Sequence, residues 1–290
     1  MVDMQTMISI IICSRTADIS DELKQNIATT IGCEYELCVI DNSRNEYSIF
    51  TAYNEGVRRA MGDILCFMHD DILFHTDGWG EKLSLYMLNH AEVGAIGFLG
   101  GHYLPQRPCS WNEPRIESVH YIQGEMVNGK YLTREILHQK YRKERTFVAA
   151  IDGVFMAIPR CHFTNHKLQW DDKSYSGFHF YDVDMCMQIH QLGLKIEIVW
   201  DILIEHKSCG NTGAAFLNAR QIWFEKWKHC LPMVCGIELT EEDKDICRII
   251  MDITDQSYQY HQILHSKAYR LGKVLLHPSW INIKRLFSKI

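Results

Sequence analysis

The sequence predicts an α/β protein built on a doubly wound sheet with right-handed crossovers. Three observations predict it. Short, continuous apolar runs rich in β-branched residues recur, as strands buried on both faces require. Each run is followed by a capped segment of helical periodicity, so that strand and helix alternate. The runs end in polar side chains, and open parallel sheets bind their ligands at the carboxyl ends of strands.

The elements follow in order. Ile8–Cys13 is the first buried strand. Ser20 caps a helix through Leu23 and Ile27 that stops at Gly32. Glu36–Ile40 is the second strand and runs into Asp41-Asn42-Ser43. A helix from Ser48 to Met61 ends at Gly62, and Ile64–Met68 is the third strand, ending at His69-Asp70-Asp71. Trp79–Asn89 reads as a helix and Val93–Phe98 as a strand. From Gly101 to Arg145 the pattern weakens around Pro105, Pro108 and Pro114, and this stretch is expected to be an irregular binding loop or lid. Phe147–Ile158 is a strand interrupted at Asp152-Gly153. Asp182–Leu192 is a helix stopped by Gly193, Lys195–Trp200 a strand that Ile202–His206 extends, and Phe216–His229 an aromatic-rich helix. After Pro232 a helix begins at Thr240.

Composition narrows the class. The 290 residues are 47% hydrophobic and 23% charged, as in globular chains. No apolar run approaches the ~18 residues of a membrane span, and no basic stretch precedes Met7–Cys13, so the expected location is cytoplasmic. The eleven cysteines form no Cys-x-x-Cys pair and are read as reduced. A formal charge of −6 excludes a nucleic-acid footprint over the whole chain. The stretch 256–290 is the exception, with six Lys or Arg and no Asp or Glu. A basic segment with Trp280 and Phe287 fits peripheral contact with an anionic membrane, and a terminal helix docked on the catalytic domain fits it equally.

Three strand ends form a polar rim: Ser14-Arg15, Asp41-Asn42 and His69-Asp70-Asp71. The first strand–helix turn has no glycine, which removes the dinucleotide fingerprint, and no P-loop occurs. A nucleotide here needs another way to hold its phosphates. A divalent cation between carboxylates and diphosphate provides one.

Ala52-Tyr-Asn54-Glu-Gly56 through Ala60-Met-Gly62 to His69-Asp-Asp71 resembles the family-2 glycosyltransferases of the GT-A fold. Their pattern is Asn-x-Gly, a helix ending in Ala-x-Gly, and a strand leading into Asp-x-Asp. Asp152-Gly153 with Pro159-Arg160, the acidic block Gly177 to Cys186, and Ile204-Glu-His206 follow in the family's order. The StrF-like subgroup is the nearest pattern. Two positions depart from it: His69 stands at the first Asp of Asp-x-Asp, and Tyr181 stands where Glu often precedes the acidic Asp182.

The resemblance implies a mixed, mostly parallel GT-A sheet in a catalytic domain over residues 1–232, with a helical extension over 233–290. It implies a hexosyltransferase-like enzyme of polysaccharide biosynthesis. Such an enzyme moves a sugar from a UDP- or GDP-sugar to a hydroxyl of a glycan or lipid-linked glycan, with inversion. Asp71, His69 and His206 would hold Mn²⁺ or Mg²⁺, and imidazole favours Mn²⁺. Asp182 would be the catalytic base, placed at a helix N-terminus that favours its charged form. Asp184, two residues on, cannot share its face and is expected to cap or pair elsewhere. Arg15, Asp41, Asn54, Asp70, Asp152 and Gly153 would line the donor, with Asp41 accepting a nucleobase ring N–H. Trp111, Trp170 and Tyr181 are candidates to stack on sugar rings. A non-catalytic sugar-nucleotide-binding module and a nucleotidyltransferase remain as alternatives. The latter normally carries a glycine-rich basic loop after the first strand, which this chain lacks.

Overall fold

The computed structural model describes residues 6–208, 210, 212–266 and 269. The chain forms two compact units, Met1–Leu239 and Thr240–Ile290.

The first unit opens with β1 (Ile8–Ser14), α1 (Asp21–Thr30), β2 (Tyr35–Asp41), α2 (Ile49–Arg59), β3 (Ile64–Met68), β4 (Ile72–Phe74), α3 (Trp79–Asn89) and β5 (Val93–Gly97). It continues with β6 (Leu99–Gly101), β7 (Tyr103–Leu104), β8 (Glu117–Val127), β9 (Lys130–His138), β10 (Thr146–Val148), β11 (Ala150–Ile151) and β12 (Phe155–Pro159). Last come α4 (Arg160–Asn165), α5 (Tyr181–Gln191), β13 (Lys195–Ile198), β14 (Ile204–His206), α6 (Ala214–Trp227) and β15 (Met233–Val234). The expected caps are present: Ser20 accepts from the Leu23 amide and Ser48 from the Thr51 amide.

The central sheet has the order β10-β13-β5-β12-β3-β1-β2. β1 runs parallel to β2 and β3, so Ser14, Asp41 and Met68 end on one edge. β12 runs antiparallel to β3 with Phe155 opposite Met68, which brings the preceding Asp152-Gly153 to that same edge. The sheet is therefore mixed. β1 is buried on both faces, with Ile8, Ile10, Ile11 and Ile12 all inaccessible to solvent. α2 lies so close that a Cβ on Gly56 would sit 2.2 Å from Ile11 Cγ2, so only glycine fits there.

A second sheet, β11-β6-β8-β14-β4 with β9 on β8, flanks this edge. It corrects two expectations. Ile202–His206 does not prolong β13; β14 pairs antiparallel with β4 and parallel with β8, which sets His206 opposite Ile72. The stretch 101–145 is not an irregular loop, because β8 and β9 form a long hairpin within it. Its turn is Asn128-Gly129, with φ of 51° and 77°. Positive φ at both central residues is the signature of a two-residue hairpin turn, and Asn-Gly is its favoured pair.

In the second unit, α7 (Glu241–His265) is a 25-residue helix. Thr240 and Asp243 form a reciprocal capping box at its start. The six cations of 256–290 lie outside the described residues. Among the described residues no helix is long and apolar enough to cross a membrane.

Candidate metal and nucleotide-sugar site

Four segments meet at the carboxyl edge of β3. The chain leaves β3 through His69, Asp70 and Asp71 and turns at once into β4. The His69 amide donates to the Val154 carbonyl at 3.2 Å, which ties this turn to the Asp152–Val154 turn. The Lys207 amide donates to the Asp71 carbonyl at 2.9 Å, which ties it to β14. The fourth segment is the N-terminus of α5.

His69, Asp71 and His206 converge, with one potential ligand atom from each lying within 4.8 Å of the others. His206 Nε2 is 3.5 Å and His69 Nδ1 3.9 Å from Asp71 Oδ1. Asp71 Oδ1 and His206 Nε2 are both buried without an aligned hydrogen bond. Buried polar atoms without aligned hydrogen bonds are costly. A cation among them would satisfy both, and two imidazoles with a carboxylate are a fitting donor set. Burial alone would raise the Asp71 carboxyl, but its interactions with His206 and Ser208 hold it below the usual carboxylate range. Burial, and then the neighbouring His206, lower His69 and keep it in the neutral, ligating form.

Asp70 is not one of the three converging residues. Its two oxygens take the Arg15 guanidinium, Nη2 to Oδ1 at 2.7 Å, and the Arg15 amide, to Oδ2 at 3.0 Å. Asp70 thus anchors Arg15, whose side chain is 71% exposed and overhangs the cluster 3.5 Å from Asp71. Asp41 sits exposed on the same edge and accepts the Ser43 amide at 2.9 Å.

On the α5 side, Asp182 accepts the Gly153 amide at 3.0 Å through Oδ2 and the Val183 amide at 2.9 Å through Oδ1. Burial, and then the negative charge of Asp152, push its pKa up to about 7, so the place at a helix N-terminus does not favour the charged form as expected. Asp152 is fixed in turn by the Val154 amide at 2.7 Å and the Trp111 indole N–H at 3.0 Å.

The structure does not bring every candidate into the site. Asn54 makes a reciprocal clasp on Trp170, donating to its carbonyl at 2.8 Å and accepting its amide at 3.1 Å. Its amide is committed to holding α2 against that segment. Trp111, Trp170 and Tyr181 are 6%, 1% and 5% exposed, so none offers a ring face to a sugar. Asp184 is buried and accepts from Trp227 Nε1 at 2.7 Å, Tyr175 Oη at 3.0 Å and Lys226 Nζ at 2.8 Å. It joins α5 to α6 and leaves the rim to Asp182. Removing one partner of a buried ion pair strands its donors, so Asp184→Ala should lower stability by about 3–5 kcal/mol in urea denaturation.

Sequence reading missed Gln123. Its Nε2 lies 3.1 Å from the His206 carbonyl and 3.0 Å from that of Ser208, so the hairpin clamps the strand that carries His206. No local signal marks it, because the contact spans 83 residues.

Residues 9–228 match the glycosyltransferase-like family. The chain belongs to that family. No curated protein matches the sequence. Among solved structures, S. aureus TarS 1-349 is similar at 11% identity and a TM-score of 0.51, over 90% of this chain and 75% of that one. That likeness shows the GT-A-type fold of this glycosyltransferase-like chain. GalNAc-T7, solved with UDP, GalNAc and Mn2+, aligns at 13% identity and a TM-score of 0.48. The alignment covers 91% of this chain, which spans 59% of the GalNAc-T7 chain's length.

Proposed function

We propose that this glycosyltransferase-like chain is a metal-dependent, inverting glycosyltransferase that moves a hexosyl group from a UDP- or GDP-sugar to a hydroxyl acceptor. The observation that carries the reading is the convergence of His69, Asp71 and His206 on a strand-end edge, with two of their polar atoms buried without an aligned hydrogen bond. These three residues would hold Mn²⁺ or Mg²⁺, and a bound dication there supplies Lewis-acid stabilisation of a leaving diphosphate.

The chain's own groups divide the remaining work. Asp41 accepts a ring N–H of uracil or guanine, and Arg15, held by Asp70, directs its exposed guanidinium at phosphate. Asp152 and Gly153 border the sugar. Asp182 removes the acceptor hydroxyl proton as that oxygen attacks the anomeric carbon from the face opposite the diphosphate. Two backbone amides aim its carboxylate, so the acceptor meets a base already in position. The acceptor would be a glycan or lipid-linked glycan of polysaccharide assembly at the cytoplasmic face. Residues 1–232 would carry catalysis and 233–290 would form an extension. The StrF-like subgroup is the best placement within the family.

A panel of nucleotide sugars incubated with Mn²⁺ tests the reading. One donor should be hydrolysed or transferred well above the others, and NMR should find the product anomer inverted. No turnover of any donor, with UDP and GDP binding unchanged by Mn²⁺, would overturn it.

A further inference from the structure

We propose that Tyr181 is a positioning residue of the metal centre: its phenol turns the His69 imidazole so that Nδ1 is the atom offered to the cation. The inference rests on the metal-dependent reading above and deepens it.

Tyr181 Oη lies 2.8 Å from His69 Nε2. A neutral imidazole has one N–H and one lone pair. When a cation takes the lone pair of Nδ1, the N–H must be on Nε2, where it is directed at the phenol oxygen. Nδ1 is the nitrogen 3.9 Å from Asp71 Oδ1. Ligating histidines commonly donate their other ring N–H to a fixed acceptor, which sets both tautomer and ring orientation.

The phenol here is well fixed. Tyr181 is 5% exposed. Its ring meets Phe50 edge-on at 6.3 Å and Tyr53 edge-on at 5.7 Å, and lies 5.9 Å from Trp170. Gly153 makes room for it, since a Cβ at that position would fall 2.2 Å from the phenol oxygen. The two departures from the family pattern, His69 and Tyr181, thus touch each other across 112 residues. Tyr181 is also the first residue of α5, next to Asp182 in sequence.

Mn²⁺ binding to the full chain, followed by calorimetry and by the electron spin resonance of free Mn²⁺, tests this without reference to turnover. Tyr181→Phe keeps the ring and its packing and removes only the hydroxyl. It should weaken Mn²⁺ by about 10- to 100-fold. In a His69→Ala background the same change should cost nothing further, because the group it orients is gone. Undiminished affinity in Tyr181→Phe would overturn the proposal. So would an equal loss in the His69→Ala background, which would mean that the hydroxyl acts through the fold. Asp71→Ala separates the two readings. If it loses Mn²⁺ while Tyr181→Phe does not, only the role of Tyr181 falls. If it binds Mn²⁺ like the wild type, the metal centre falls with it.

Discussion

Asp71→Ala is expected to abolish the Mn²⁺-dependent tightening of UDP or GDP binding while leaving the fold intact. Asp71 is the carboxylate of the three-residue cluster, and the other two members are imidazoles. Without it, a dication would face two imidazoles and no carboxylate, with the Arg15 guanidinium close by. The loss should be larger than the 10- to 100-fold, roughly, that follows removal of a group which only orients a ligand. His206→Ala should weaken binding by an intermediate amount and His69→Ala by least. The fold should survive because the interstrand hydrogen bond at this position runs from the Lys207 amide to the Asp71 backbone carbonyl, which alanine keeps. Calorimetry with UDP and GDP, with and without Mn²⁺, measures the effect, and circular dichroism checks the fold. An Asp71→Ala protein that binds either nucleotide as tightly as the wild type in Mn²⁺ would remove Asp71 from the metal centre.

The ease of reading this chain tracks how local each determinant is. β1 and β3 are legible because burial on both faces writes a mostly apolar run into five to seven consecutive residues. The rim follows from them, since a parallel pair must end on one edge. The β8–β9 hairpin is obscured because most of β9 is exposed and carries charged and apolar side chains alike, so no periodicity emerges. Its one strong local signal is the Asn128-Gly129 turn, which the weak flanking pattern leaves without strands to join. The site's finer organisation depends on pairings that no window spans. Asp184 is withdrawn from the rim by Lys226 and Trp227, 42 and 43 residues later. Asn54 is claimed by Trp170 at a separation of 116. The three aromatics expected to stack on sugar are buried in the fold. Only tertiary structure decides that.

Asp182→Asn is expected to lower kcat by about 10²- to 10⁴-fold, the usual worth of general-base catalysis, while donor affinity barely changes. The amide keeps the size of the carboxylate but cannot take a proton. The wild type should show a matching pH profile. A base works only when ionised, and burial together with Asp152 pushes Asp182 up to about 7. Turnover should therefore rise with pH up to about 7 and level off above it, and the variant's residual activity should lack that limb. Stability carries the same signature with its own sign. A carboxyl whose folded pKa lies above its unfolded value binds its proton more tightly when folded, so stability falls as pH rises from the unfolded value of about 4 towards 7. The amide of the Asp182→Asn variant has no such titration, so the stability difference should move in the variant's favour across that window in urea titrations at several pH values. A variant with near-normal turnover, or a product of retained anomeric configuration, would take the base role from Asp182. A flat wild-type pH profile would likewise mean that no carboxylate titrating near 7 governs turnover.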